Sequence, residues 1–156
     1  MNKLQELRKI LIEKELNISV AESCTGGMLA QLLTKYPGSS SYFDRGFITY
    51  TNQSKIDELG VNSSVIDEFG AVSLEVASEM VKGVNKKSKS SISIAITGIA
   101  GPGGATSGKP VGTVCFGFIV NGELFAEKKL FSGDRDLIIQ SSVNFAIEYV
   151  LKLIKN

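Results

Sequence analysis

The feature that most constrains the fold is an apolar strand that runs directly into a small polar turn and then into a helix. The strand covers 18–21, the turn carries Ser23 to Gly27, and apolar residues at helical spacing resume at Met28. Such a junction leaves amide N–H groups unpaired at the helix start and gives that end a partial positive charge. It is therefore predicted to stabilise negative charge, either on a bound phosphate or on an oxyanion formed during a reaction.

Two interpretations of this junction stay open from the residues alone. In the first, Ser23 or Cys24 is a nucleophile placed beside an anion site. In the second, Ser23 or Thr25 only caps the helix, and Gly26 and Gly27 only permit a tight turn.

Helices separate the early strands, whereas the last two strands follow one another directly. The predicted elements are helix 2–15, strand 18–21, a helix from Met28 to near Tyr36, strand 43–50, a helix capped by Asn52 that ends near Gly60, helix 62–70, a longer helix that opens at Ser73, strands 92–97, 111–120 and 123–131, and a final helix after Asp134. Asn121-Gly122 indicates a type I′ turn and therefore an antiparallel pair. We predict one α/β domain, 1–156, folded as a three-layer α/β/α sandwich with a mixed, mostly parallel sheet and one antiparallel hairpin.

Composition excludes several classes of function. The chain has 17 Lys and Arg against 16 Asp and Glu, which argues against general nucleic-acid binding. We see no apolar run long enough to span a bilayer, and no membrane partner is expected. Only two cysteines occur, outside any metal-binding spacing, which predicts a reduced, cytoplasmic protein. No cofactor is expected.

The absence of histidine limits the possible chemistry most strongly. A Ser-His-Asp triad, a Cys-His pair and a histidine-bearing metal site are all excluded within one chain. Any nucleophilic mechanism must therefore take its base from lysine, tyrosine or a carboxylate.

Three polar features follow predicted strands, and such strand ends meet at one edge of an open α/β sheet. They are Ser23, Tyr50 with Lys55 just beyond it, and Thr97 with its glycine-rich loop. Lys55 is the best candidate base, because the first turn of a helix disfavours a cation and so lowers its pKa. Alternatively, Lys55 is an ordinary surface lysine, as most lysines are.

The neighbouring polar side chains each allow a functional and a structural interpretation. Tyr50 would relay a proton between the serine and the lysine or donate one to the leaving group, or it would only expose its hydroxyl to water. Thr97 would hydrogen-bond the substrate or have no role. Cys24 is a rival nucleophile or a small buried side chain, and Glu22 is an acid or base or a structural partner of the junction backbone.

The segment Gly98 to Pro110 is rich in glycine and has no periodicity. Its residues Gly101 to Gly104 are predicted to wrap a phosphate through backbone N–H groups. The signal is weak by itself, since the segment matches neither a P-loop nor a dinucleotide-binding fingerprint.

Six blocks, in order along nearly the whole chain, together resemble the CinA C-terminal-domain family of nicotinamide-nucleotide amidases, in its free-standing form. They are Ala21 to Gly27, Phe43 to Tyr50 with Asn52 and Lys55, Gly70 to Ser73, Thr97 to Pro102, Lys109 to Val114, and Phe131 to Arg135.

The resemblance implies a metal-free, cytoplasmic, homodimeric serine amidase that converts nicotinamide mononucleotide to nicotinate mononucleotide and ammonia. It implies Ser23 as nucleophile, Lys55 as base and Tyr50 as its hydroxyl partner. Contacts with the mononucleotide substrate are expected from Cys24, Thr25, Gly26, Gly27, Thr97, Gly98, Gly101, Gly103 and Arg135.

The chain departs from the family pattern at Ile139, where a second arginine often follows Gly-Asp-Arg. If that arginine holds the phosphate, the substrate is bound less tightly here. Two competing functions remain: a non-catalytic module that binds a nucleotide phosphate, and a structural or regulatory partner domain.

Overall fold

The computed structural model describes all 156 residues. Its elements are α1 (Lys3–Glu13), β1 (Ile18–Glu22), α2 (Met28–Leu33), a short 3₁₀ turn (Ser39–Ser41), β2 (Phe43–Ile48), α3 (Asn52–Leu59), α4 (Ser63–Phe69), α5 (Leu74–Ser88), β3 (Ile92–Gly98), β4 (Thr113–Val120), β5 (Glu123–Leu130) and α6 (Arg135–Lys155). Every predicted element is present, and the bounds differ by a few residues.

The five strands form one mixed sheet in the order β2-β1-β3-β4-β5. The strands β2, β1 and β3 are mutually parallel, while β4 is antiparallel to both of its neighbours. Four strands thus run in one direction and β4 alone runs in the other, as the predicted hairpin requires. Asn121 and Gly122 both have positive φ, in agreement with the type I′ turn.

Helices cover both faces of the sheet, which confirms the three-layer sandwich. The larger core lies between the sheet and α1, α2 and α6, and the smaller one between the sheet and α3, α4 and α5. The central strands β1, β3 and β4 are buried along almost their whole length, whereas the edge strands β2 and β5 carry many exposed residues. Strands buried on both faces read as continuous apolar runs, which is the pattern of 92–96 and 114–120.

Helix α6 has the length and mean hydropathy, 1.4, of a membrane span, so the expectation that no segment is long enough was wrong. In this structure its apolar side packs onto the sheet and forms part of the larger core. Its packing in this core accounts for its apolar composition.

Two local differences from prediction bear on the site. Strand β2 ends at Ile48, two residues earlier than expected. The Thr49 amide still donates to the Glu22 carbonyl of β1 at 2.9 Å, but the carbonyls of Thr49 and Tyr50 accept from Lys55. Thr51, not Asn52, caps α3, because its hydroxyl accepts from the amide of Ser54 at 3.1 Å. The chain therefore turns sharply between β2 and α3.

We predict that Gly83→Ala destabilises the fold, although alanine is favoured over glycine in a helix by about 1 kcal/mol. A Cβ at Gly83, inside α5, would lie 2.1 Å from the carbonyl oxygen of Leu59 in α3. Overpacking of this kind costs about 1–3 kcal/mol. Urea unfolding should show the loss, while the exposed control Lys82→Ala stays within about 0.5 kcal/mol of the parent. A stabilised Gly83→Ala protein would contradict the α3–α5 contact.

Candidate active site

Three adjacent parallel strands end at one edge of the sheet, and the polar residues that follow them meet there. Ser23 comes directly after β1, Tyr50 follows β2, and Gly98 ends β3. A cavity of about 270 Å³ opens at this edge. It is lined by Ser23, Cys24, Tyr50, Gly98, Ile99, Ala100, Gly101, Gly103, Gly104 and Arg135. The predicted convergence of Ser23, Tyr50 and the glycine-rich loop is therefore present in the structure.

Lys55 reaches Ser23 directly. Its Nζ lies 3.1 Å from Ser23 Oγ, and it also donates to the carbonyl oxygens of Thr49 at 2.9 Å and Tyr50 at 3.3 Å. The side chain is only 1% exposed, so the interpretation of Lys55 as a surface lysine is wrong. The helix α3 carries Lys55 in its first turn, and the sharp turn at Thr51 brings that turn beneath the end of β1.

Burial lowers the pKa of the Lys55 ammonium below its usual value. No carboxylate forms a salt bridge with Lys55 to oppose this effect. Two backbone carbonyl dipoles and one hydroxyl are its hydrogen-bond partners, which satisfy its donors without supplying a full negative charge. The arrangement favours a neutral amine, the form that accepts a proton.

Ser23 does not cap helix α2, so this alternative interpretation is wrong for it. The N-cap of α2 is Gly27, which makes no side-chain cap bond. Ser23 Oγ instead lies near Lys55 and 3.4 Å from the carbonyl oxygen of Tyr50. The amide N–H groups of Cys24 and Thr25 donate to no acceptor within the protein. Two unpaired donors thus follow the candidate nucleophile in sequence.

The predicted anion site at the start of α2 is already filled by Glu22, which is fully buried. Its Oε1 accepts from Thr25 Oγ1 at 2.7 Å and from the Leu29 amide at 2.8 Å, and its Oε2 accepts from the Ala30 amide at 3.0 Å. Glu22 is therefore a structural partner of the junction backbone. A substrate phosphate has no place at this helix end, and the Thr25 hydroxyl is not free to contact a substrate.

Tyr50 does not connect Lys55 to Ser23. The two side chains contact each other directly, and the Tyr50 hydroxyl lies 3.0 Å from Arg135 Nη2, on a side chain that is 56% exposed. Arg135 also donates from Nη1 to the carbonyl oxygen of Gly101 at 2.8 Å. The expected relay is replaced by a contact at the cavity mouth, which places a guanidinium beside the glycine-rich loop.

Thr97 is not at the cavity, contrary to the expected substrate contact. Its hydroxyl donates to the carbonyl oxygen of Ala71 at 2.9 Å, and the residue is 1% exposed. The side chain lies on the α5 side of β3 and holds the segment that leads into α5. Its role in this structure is to fix a loop.

Cys24 lines the cavity, but burial raises the pKa of its thiol to about 12. The thiolate, which is the nucleophilic form, is therefore disfavoured at neutral pH. Gly98 is required beside it, because a Cβ there would lie 3.1 Å from Cys24 Sγ and 2.8 Å from Val114. Gly26 and Gly27 have positive φ and shape the turn without lining the cavity.

The glycine-rich segment contributes Gly101, Gly103 and Gly104 to the cavity, together with Ile99 and Ala100, to which no role was assigned from the sequence. Their position in the same loop was the available signal. Ile139 lies on α6 and packs against the larger core. No group of three or more Cys, Asp or Glu side chains lies close enough together to hold a metal ion.

Comparison with known proteins gives a consistent result. Residues 2–154 match the family model described as the CinA C-terminal domain. Two relatives are named as competence-damage inducible proteins. The one from Clostridioides difficile is 51% identical over 81% of this chain and 30% of its own length. The one from Alkaliphilus metalliredigens is 46% identical over 91% of this chain and 34% of its own length. The chain thus spans about a third of the length of these relatives.

Solved structures match over nearly the whole chain. A CinA superfamily protein from Escherichia coli has a TM-score of 0.94 at 36% identity, and covers 97% of this chain and 88% of that one. A competence/damage inducible protein from Agrobacterium tumefaciens has a TM-score of 0.91 at 39% identity, and covers 98% of this chain and 96% of that one. The chain belongs to the CinA C-terminal domain family.

Proposed function

We propose that this domain is an amidohydrolase that converts nicotinamide mononucleotide to nicotinate mononucleotide and ammonia through a serine nucleophile. The observation that carries the proposal is the buried Lys55 Nζ, 3.1 Å from Ser23 Oγ and without a carboxylate partner. The choice of substrate rests on the resemblance of the six sequence blocks to nicotinamide-nucleotide amidases. The homodimeric state is a further proposal from the same resemblance.

The hydrogen bonds around Lys55 fit both protonation states of its amine. In the neutral state, two N–H groups donate to the carbonyls of Thr49 and Tyr50, and the lone pair accepts from the Ser23 hydroxyl. In the protonated state, three N–H groups meet three acceptors. The two carbonyls therefore aim the lone pair at Ser23, which prepares the amine for proton transfer before substrate binds.

Acyl transfer then proceeds in two steps. Ser23 Oγ loses its proton to Lys55 and attacks the carboxamide carbon, and the unpaired amide of Cys24, which lines the cavity, is available to the oxyanion. Lys55 returns the proton to the leaving nitrogen, ammonia departs and an acyl-serine remains. Water, deprotonated by Lys55, attacks the acyl carbon and releases the carboxylate, and Ser23 regains its proton.

The charge at the cavity favours an anionic substrate. Arg135 is the one charged side chain among the lining residues, and no carboxylate accompanies it. The guanidinium and the backbone of the glycine-rich loop lie side by side, since Arg135 donates to Gly101. A substrate phosphate bound by Arg135 and this loop would allow the carboxamide end of the mononucleotide to point towards Ser23.

The competing function, a non-catalytic module that binds the phosphate of a nucleotide, uses the same loop and Arg135. It does not account for a buried lysine without a carboxylate partner, which costs stability and serves no purpose in phosphate binding. Calorimetry with nicotinamide mononucleotide should show binding in either case. Binding without ammonia release would support the module and contradict the amidase.

The nucleophile assignment is tested by Ser23→Ala against Cys24→Ala. We expect Ser23→Ala to lower ammonia release by at least about 10⁴-fold, as removal of a nucleophilic serine does in other hydrolases. Cys24→Ala should keep most of the activity, since its thiol is protonated. A coupled ammonia assay on nicotinamide mononucleotide gives both values. Activity lost only in Cys24→Ala would reverse the assignment.

The pH dependence follows from the lowered pKa of Lys55. Only the neutral amine accepts the Ser23 proton, so kcat/KM should rise with pH on a limb whose midpoint lies below about 10.4, the ordinary lysine value. Lys55→Arg stays protonated throughout and should be inactive at every pH tested. An active Lys55→Arg protein, or a limb centred at the ordinary lysine value, would exclude Lys55 as the base.

The same pKa shift has a consequence for stability that needs no substrate. Between the folded and the ordinary pKa, the unfolded chain binds more protons at Lys55 than the folded chain does, so the free energy of unfolding rises with pH. Lys55→Met removes this slope and leaves a constant offset from the lost hydrogen bonds. Urea unfolding of both proteins at a series of pH values should show the wild type gaining relative stability as pH increases. If the unfolding free energies of the two proteins changed in parallel with pH, burial would not lower the pKa of Lys55.

A further inference from the structure

Glu22 and Thr25 form a buried contact beside the turn that carries Ser23. Residues alternate along a strand, so Glu22 points towards α2 while Ser23 points towards Lys55. Glu22 does not line the cavity, and neither does Thr25. Neither side chain would touch a substrate, yet both flank the proposed nucleophile.

The contact closes the turn that contains the reacting groups. Thr25 Oγ1 donates to Glu22 Oε1 at 2.7 Å, and the Gly26 amide donates to the carbonyl of Ser23 at 3.0 Å. These two bonds span Ser23 and Cys24 from both sides of the turn. Because Glu22 is also bound to the amides of Leu29 and Ala30, the turn is anchored to the first residues of α2.

The anchoring fixes the groups on which the proposed reaction depends. The direction of the Cys24 amide is set by the backbone of this turn, and no acceptor in the protein holds it. Oxyanion donors are effective only when they are held at the right position before reaction. A small displacement of such groups reduces the rate without affecting contacts made elsewhere on the substrate.

We propose that Glu22 and Thr25 are positioning residues, which hold the turn 23–25 so that the Ser23 hydroxyl faces the reacting carbon and the Cys24 amide faces the oxygen bonded to that carbon. This inference rests on the proposed function. It assigns to the Thr25 hydroxyl a role in orienting backbone donors, in place of the substrate contact expected from the sequence.

The test compares Thr25→Val, which keeps the shape of the side chain and removes the hydroxyl, with Thr25→Ser, which keeps the hydroxyl. The matched control is Thr34→Val, since the Thr34 hydroxyl donates to the carbonyl of Ala30 at the other end of the same helix. Two rates are measured: ammonia release from nicotinamide mononucleotide, and covalent labelling by a fluorophosphonate. In the labelling, Ser23 Oγ bonds to phosphorus, fluoride leaves, and Lys55 takes the serine proton.

We expect Thr25→Val to lower kcat and the labelling rate by about 10- to 100-fold while KM changes little, as expected for displaced reacting groups. Thr25→Ser and Thr34→Val should stay near the parent in both rates. Thermal unfolding gives the folded fraction, by which each rate is corrected. Unchanged kcat and labelling in Thr25→Val, or a loss shared equally by Thr34→Val, would overturn the proposal.

The labelling rate separates this proposal from the proposed function. A parent protein that is labelled at Ser23 but releases no ammonia would exclude the mononucleotide as substrate, and the Thr25 comparison would still stand on labelling. A parent protein that is neither labelled nor active would exclude an activated Ser23 and both proposals with it.

Discussion

The candidate site depends on one buried amine. An ammonium taken out of water loses hydration free energy that only a paired negative charge or a change of protonation can restore. At Lys55 the partners are two carbonyl oxygens and a hydroxyl, so the balance moves towards the neutral amine. A lysine that gained a carboxylate here would be held in its charged form and would be useless as a base. The absence of a counter-ion is thus the feature that gives this lysine its chemistry.

The topology of the sheet makes this burial possible. Three parallel strands end side by side, and β2 ends early enough for the carbonyls of Thr49 and Tyr50 to leave the ladder and turn towards α3. Within β2, an edge strand, every second carbonyl would be bonded to β1. The turn capped by Thr51 then directs the first turn of α3, with Lys55, beneath the end of β1. If the strand continued to Tyr50, consecutive carbonyls would point in opposite directions, and the two could not both accept from Lys55.

The layers, the strand order of the hairpin and the Ser23–Lys55 pairing could be predicted from the sequence. Apolar periodicity defines the elements, and the lack of histidine leaves few bases to choose from. The partners of individual hydroxyls could not be predicted. Thr25, Tyr50 and Thr97 each follow or precede a strand end, but their partners are Glu22, Arg135 and the Ala71 carbonyl. The sequence predicts that a hydroxyl lies near the end of a strand, but its hydrogen-bond partner depends on how the surrounding loops and helices pack.

Side chains alternate between the two faces of a strand, and Glu22 shows how this keeps a carboxylate away from Lys55. The start of a helix attracts negative charge, and an acidic residue facing α2 supplies it permanently. One residue later the side chain points to the other face, where any fixed carboxylate would hold Lys55 in its charged form. Two consecutive residues thus face two different environments. The start of α2 needs an anion for its stability, and the surroundings of Lys55 must exclude an anion for the proposed chemistry. Moving the acidic residue by one position would undo both, because the start of α2 would lose its anion and Lys55 would gain a carboxylate partner.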